Sequence, residues 1–148
     1  MESMLLFVHL VAVAIWIGGM FFAHACLRPA AFELLAPPQR LPLMAGALGR
    51  FFRWVALAIV LLWASGLARL AQVGFANAPP AWHAMAGLAA VMTVVFGAIA
   101  HGIFPGVRRA IAEQRLPDAA AALGRIRTLV AINLGLGVAT IAVATLGR

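Results

Sequence analysis

"HLVAVAIWIGGM", residues 9–20, lies inside an unbroken apolar run, opens with an ionisable ring and carries Trp16 one heptad later. A run of this kind suits lipid, where a polar group costs several kcal/mol unless it is satisfied. His9 therefore requires a ligand, a hydrogen bond or a proton path. The run also decides the fold, because about 20 predominantly apolar residues, at 1.5 Å each along a helix, cross about 30 Å of hydrocarbon.

The rest of the chain repeats the pattern. Of 148 residues, 65% are hydrophobic and 10% charged, and the mean hydropathy is +1.04; soluble domains are about 45–50% apolar and about 25% charged. Four windows are long enough to span, at about 4–25, 51–73, 82–104 and 128–146. The predicted fold is all-α: an integral membrane four-helix bundle, up-down-up-down, forming a single transmembrane domain over 1–148. The connections are "RPAAFELLAPPQRLPLMAGALGR", the Pro-rich "GFANAPPA" and "PGVRRAIAEQRLPDAAAALGRIR". Within the last, apolar residues recur between arginines at Val107, Ile111, Leu116 and Leu123, which predicts one or two short helices on the membrane surface or extensions of the third and fourth spans. "AHAC" resembles a processing site, but the apolar stretch before it is long and starts at Glu2 in place of a basic segment, so the first span is expected to be retained.

Charge reports topology. All eleven basic residues are arginine, and they cluster beside apolar spans and not on one amphipathic face, which argues against nucleic acid as a partner. Arg28, Arg40, Arg50, Arg53, Arg108, Arg109, Arg115, Arg125 and Arg127 fall on one side, and only Arg69 and Arg148 on the other. The positive-inside rule then puts both termini on the outer side. The single cysteine, Cys26, excludes an intramolecular disulfide and a four-cysteine metal site. The four acids, Glu2, Glu33, Glu113 and Asp118, lie in tails or connections, so there is no carboxylate pair for hydrolytic chemistry.

On this topology the histidines form two layers. His9 and His83 lie toward the outer ends of spans one and three, and His24 and His101 toward the inner ends. His83 and His101 are 18 residues apart, five full turns, so a regular helix puts them on one face, roughly 27 Å apart, with Gly87, Ala90, Val94 and Gly97 between them. His9 shares its stripe with Ala12, Val13, Trp16, Gly19, Met20 and Ala23, and span four contributes Asn133, Gly137 and Thr140 on one face. Imidazole and thioether together suit copper. His9 and His83 with Met4 or Met85 make an outer metal-site candidate, and His24 with His101, joined by Cys26, an inner one. Met1 and Met92 lie on the same outer half. Simpler roles stand beside these: small residues let helices approach, interfacial His and Trp anchor at headgroups, and Asn133 suits an interhelical hydrogen bond.

With "LLFVHLVAVAIWIGGMFFAHACLRPAA", "RFFRWVALAIVLLWASGLARL", "WHAMAGLAAVM" and "IRTLVAINLGLGVAT" in order, the sequence resembles the CopD (copper-resistance D) family in its small four-helix form. That resemblance implies a multi-pass protein of the bacterial inner membrane with a part in copper uptake or tolerance, and larger relatives act beside a periplasmic copper carrier. The first-helix histidine is also similar to that of the HemJ family, four-helix proteins that bind b-type haem and oxidise protoporphyrinogen. A lysine of that family has no counterpart in this lysine-free chain.

Two functions stay open on these grounds. In the first, the protein binds or slowly transfers copper, since the mid-bilayer offers only Met20, Met92, Ser65, Thr93, Asn133 and Thr140 as stepping groups. In the second it is a haem b redox protein, with His9 and His83, or His24 and His101, clamping a macrocycle near Trp16, and Arg53, Arg28 or Arg108 pairing with propionates. Only the second would make it an enzyme, an oxidoreductase. The lipid bilayer is a partner under either, and a second copy of the chain is a further candidate.

Overall fold

The computed structural model describes residues 2–147. Four helices, each long and apolar enough to cross a membrane, occupy nearly all of them: α1 (Glu2–Leu34), α2 (Pro37–Val73), α3 (Pro80–Ala112) and α4 (Leu116–Leu146). No strand occurs among the described residues. With 31 to 37 residues each, the helices measure roughly 45–55 Å at 1.5 Å per residue, so their ends project beyond about 30 Å of hydrocarbon. Met1 and Arg148, counted above with the outer half, lie outside the described residues.

Proline and glycine set the breaks. Ala36 is extended (ψ 155°), the conformation that a following proline, here Pro37, favours at the residue before it. The α1–α2 connection is thus only two residues long, where the sequence suggested the whole arginine-bearing stretch. α2 stops at Gly74, whose φ of 85° favours glycine; its N–H bonds the Leu70 carbonyl at 3.0 Å. A short 3₁₀ turn, Phe75–Asn77, leads to Pro79 and to Pro80 in the first turn of α3. Between α3 and α4 the chain reverses through Gln114, a non-glycine residue at φ 57°. Arg115 bonds both Glu113 and Asp118 at this turn, and these contacts keep its guanidinium more firmly protonated than usual, the hydrogen bond to Glu113 first. The 107–127 segment therefore extends the third and fourth helices.

α1 packs chiefly on α2, and α3 chiefly on α4. In lipid there is no water to expel between helices, so close packing and interhelical hydrogen bonds hold them together. The core is aromatic: Phe52 of α2 meets Phe96 (5.8 Å between centroids) and Phe104 (5.0 Å) of α3 edge to face, and Trp16 of α1 meets Phe96 at 6.5 Å. Met20, Val55, Met92, Ile99, Val107, Ile126 and Val130 fill in around them. α1 and α2 approach so closely at Gly19 that a Cβ there would enter the Phe51 ring. The outer surface is apolar too, as a lipid-facing surface must be, with Phe7, Phe21, Phe22, Trp54 and Val60 all exposed.

Three segments depart from α geometry. π-helical turns cover Ala14–Gly18 and Phe22–Leu27 in α1, and Ala98–Ile103 in α3. The last two end just before Pro29 and Pro105. Proline has no N–H and its ring crowds the carbonyl four residues back, and widening the preceding turn relieves that conflict. A ruler of 100° per residue fails across such turns, so His101, inside the last of them, is not placed by counting from His83. Gly87, Ala90 and Val94 are exposed, as is His101, so this small-residue face looks outward and does not line the bundle. The α1 stripe of Ala12, Trp16 and Met20 and the α4 stripe of Asn133 and Gly137 are buried, as their spacing suggested.

Candidate functional site

Toward the end of the bundle that carries the Gly74–Pro79 connection, each of three helix seams is closed by a polar link. Across α1–α2, His9 Nδ1 lies 2.9 Å from Ser65 Oγ. Across α2–α3, Trp63 Nε1 donates to Thr93 Oγ1 at 3.2 Å. Across α3–α4, Asn133 Nδ2 donates to the Met92 carbonyl at 3.4 Å, and Thr140 Oγ1 lies 3.9 Å from the Met92 sulfur. Asn133 thus forms the interhelical bond suggested by its mid-bilayer position.

The His9–Ser65 contact fixes a tautomer. Ser65 is 2% exposed and has a single hydroxyl proton, which goes to α2's own backbone, to the Leu61 carbonyl at 2.6 Å with that of Leu62 at 3.2 Å. The hydroxyl oxygen is left to accept, so His9 donates from Nδ1 and its Nε2 keeps a free lone pair. A histidine held this way by a second group presents one nitrogen in a set orientation, the arrangement by which ligating histidines are aimed. One turn beyond Ser65, the Arg69 guanidinium lies 5.4 Å from the Trp82 ring centre.

The other sequence candidates are dispersed. His83, half-buried, stands edge to face with Phe75 at 4.8 Å, and its Nδ1 is 3.3 Å from the Pro79 carbonyl, so it braces the connection before α3. Met4 is 64% exposed and Met85 is half-buried. At the opposite end His24 is half-buried on the wall of a cavity formed by α1, α2 and α4; no residue of α3 lines that cavity, and His101 is exposed on α3. Cys26 is exposed. Trp16 belongs to the core, and Arg53 lies on the surface with Arg50, Trp54 and Leu57 in a shallow groove. Among the described residues no three His, Cys, Asp or Glu side chains gather where they could hold a metal ion.

Ser65 is the residue that sequence reasoning undervalued, noting it only as a stepping group. Its signal was legible: a serine in an apolar span is costly unless bonded, and the only ionisable ring at matching depth on a neighbouring span is His9.

The family model for copper resistance protein D matches residues 45–146, from the early turns of α2 to the end of α4. Ser65, Met92 and Asn133 fall within the match, and His9 precedes it. No curated protein and no solved structure matches. With well over half of its length matched, this four-helix membrane chain belongs to the CopD, copper resistance protein D, family.

Proposed function

We propose that this protein handles copper within the membrane as cargo, with His9 as the ligand that receives it. The observation that carries the reading is the His9–Ser65 pair, which leaves Nε2 available on a ring that cannot turn freely. Imidazole and thioether are donors suited to copper. Met4, Met85 and His83 belong to the same end of the bundle and supply further donors for an outer capture site. Met20 and Met92, buried below, are soft stepping groups, and His24 and His101 serve release at the far end. The arginine distribution supports an orientation with the Gly74–Pro79 connection outside, in a bacterial inner membrane, where a periplasmic copper carrier would deliver the ion. A bare cation in hydrocarbon is prohibitive, and the mid-bundle donors are sparse, so the reading is of binding and slow transfer and not of a channel.

A haem clamped by His9 and His83 has less support, because the His83 ring stands against Phe75 with its Nδ1 on the Pro79 carbonyl.

The test is Cu(I) titration of the purified protein against a chromophoric chelator, with copper content checked by elemental analysis. One tightly held Cu(I), lost in His9→Ala, supports the reading. Unchanged copper occupancy in His9→Ala overturns it, and a Soret band in the purified protein turns it toward haem.

A further inference from the structure

The arginine-rich end of the bundle holds three guanidiniums that the copper reading does not use. Between α1, α2 and α4 lies a cavity of about 70 Å³ whose wall carries His24, Arg28, Arg40 and Arg127 and no acidic residue. Arg28 lies within charge–charge range of both Arg127 and Arg40. The Arg40 guanidinium sits 3.7 Å from the Phe32 ring centre, and that of Arg28 sits 4.3 Å from it, so one phenyl face system holds two cations near each other. Among the described residues the ion pairs join Glu113 and Asp118 to Arg115, and Glu33, next to Phe32 in the chain, makes none. Arg40 Nε is buried and has no hydrogen-bond partner.

This is an incomplete electrostatic arrangement. Among the described residues none of these three guanidiniums has an ion pair, and a buried charged N–H left unbonded costs more than an unbonded neutral one. Cation–π contacts with Phe32 position the arginines but supply no acceptor for Nε. A group with several anionic oxygens meets both needs, and guanidinium recognises phosphate through paired N–H···O bonds. The remainder of the wall is apolar, from Leu41, Met44, Leu123 and Val130. A free inorganic ion has no use for that surface, whereas an acyl chain does.

We propose that this cavity is a phosphate-binding site whose occupant is the headgroup of an anionic phospholipid, with an acyl chain along the apolar wall. Basic pockets between transmembrane helices at headgroup depth take such lipids. Arg40 Nε and the Arg28 and Arg127 guanidiniums hold the phosphate.

The experiment uses the full-length protein, delipidated in neutral detergent. Phosphatidylglycerol, phosphatidylcholine with the same chains, and inorganic phosphate are added separately. Binding is read by native mass spectrometry and the unfolding midpoint by circular dichroism. Phosphatidylglycerol is expected to bind and raise the midpoint, with the other two much weaker. Arg40→Gln and Arg127→Gln should each weaken phosphatidylglycerol binding about fivefold, while Arg109→Gln, which removes an equal charge outside the cavity, should not. Arg127 is exposed, so its substitution keeps the question answerable if Arg40→Gln does not fold. Equal binding of phosphatidylcholine, or equal loss in Arg109→Gln, overturns the site. An effect of inorganic phosphate matching that of phosphatidylglycerol keeps a phosphate site and overturns the lipid as its occupant.

Discussion

Asn133 secures the Met92 carbonyl from the neighbouring helix with its Nδ2, 3.4 Å away, while its own Oδ1 is buried without a partner. The side chain therefore gains one interhelical bond, about 0.6 kcal/mol in membrane proteins, against the penalty of an unsatisfied oxygen, about 1–3 kcal/mol. Asn133→Leu, which removes both, should leave stability within about 1 kcal/mol of the parent. Asn133→Ala leaves a cavity and should cost about 2 kcal/mol. Denaturant unfolding in detergent separates the two, and an Asn133→Leu loss well beyond about 1 kcal/mol would mean that Oδ1 accepts a hydrogen bond in the folded protein.

Gly19 allows α1 to lie against Phe51 of α2. Gly19→Ala forces the ring to swing, and over-packing of this kind costs about 1–3 kcal/mol. Phe51→Leu should recover most of that loss in the double variant. Additive effects across the four-member cycle would place the collision elsewhere.

Phe52 and Trp54 are sequence neighbours with opposite surroundings. Phe52 stacks on Phe51, Phe96 and Phe104 and is 7% exposed, whereas Trp54 is 60% exposed. Phe52→Ala should cost about 3 kcal/mol and Trp54→Ala about 0.5 kcal/mol or less. Thermal melts of the two proteins in one detergent decide the ordering.

Ser65→Ala removes the acceptor that sets the His9 tautomer. If His9 receives copper, Cu(I) affinity should fall roughly 10–100-fold, as it does when a group supporting a metal ligand is lost. The structural cost should stay near 0.6 kcal/mol. A folded Ser65→Ala protein with full affinity would remove Ser65 from the site.

Much of the fold was legible because apolar run length is a direct measure of membrane thickness: all four windows fall inside the observed helices. The inward stripes of α1 and α4 followed from spacing alone, since Trp16, Met20, Asn133 and Gly137 lie where a regular helix carries them. The α3 face did not. A regular ruler aligned His83 with His101 and aimed both inward, but Gly87, Ala90 and Val94, in regular α-helix, look outward, because spacing within one helix does not say which face meets a neighbour; only His101 falls in the π-helical turn Ala98–Ile103. The helix ends were misjudged for another reason. Arginine beside an apolar span looked like the start of a connection, yet helices longer than the hydrocarbon carry arginine on their own projecting turns. The site was half legible: His9 stood out as an ionisable ring in lipid, and the cost of Ser65 in an apolar span at matching depth pointed to it as a partner, but which helices share a seam is not revealed by spacing within one helix.

A π-helical turn accommodates one more residue than the α-helix around it, and in α1 this surplus falls between the membrane core and Arg28. Removing Ala25 would restore α-helical winding over this segment and turn everything beyond it by about 100°, swinging Arg28 off the wall it shares with Arg127. The spare residue in Phe22–Leu27 thus acts as an aiming device, by which Pro29 sets the bearing of the cation next to it.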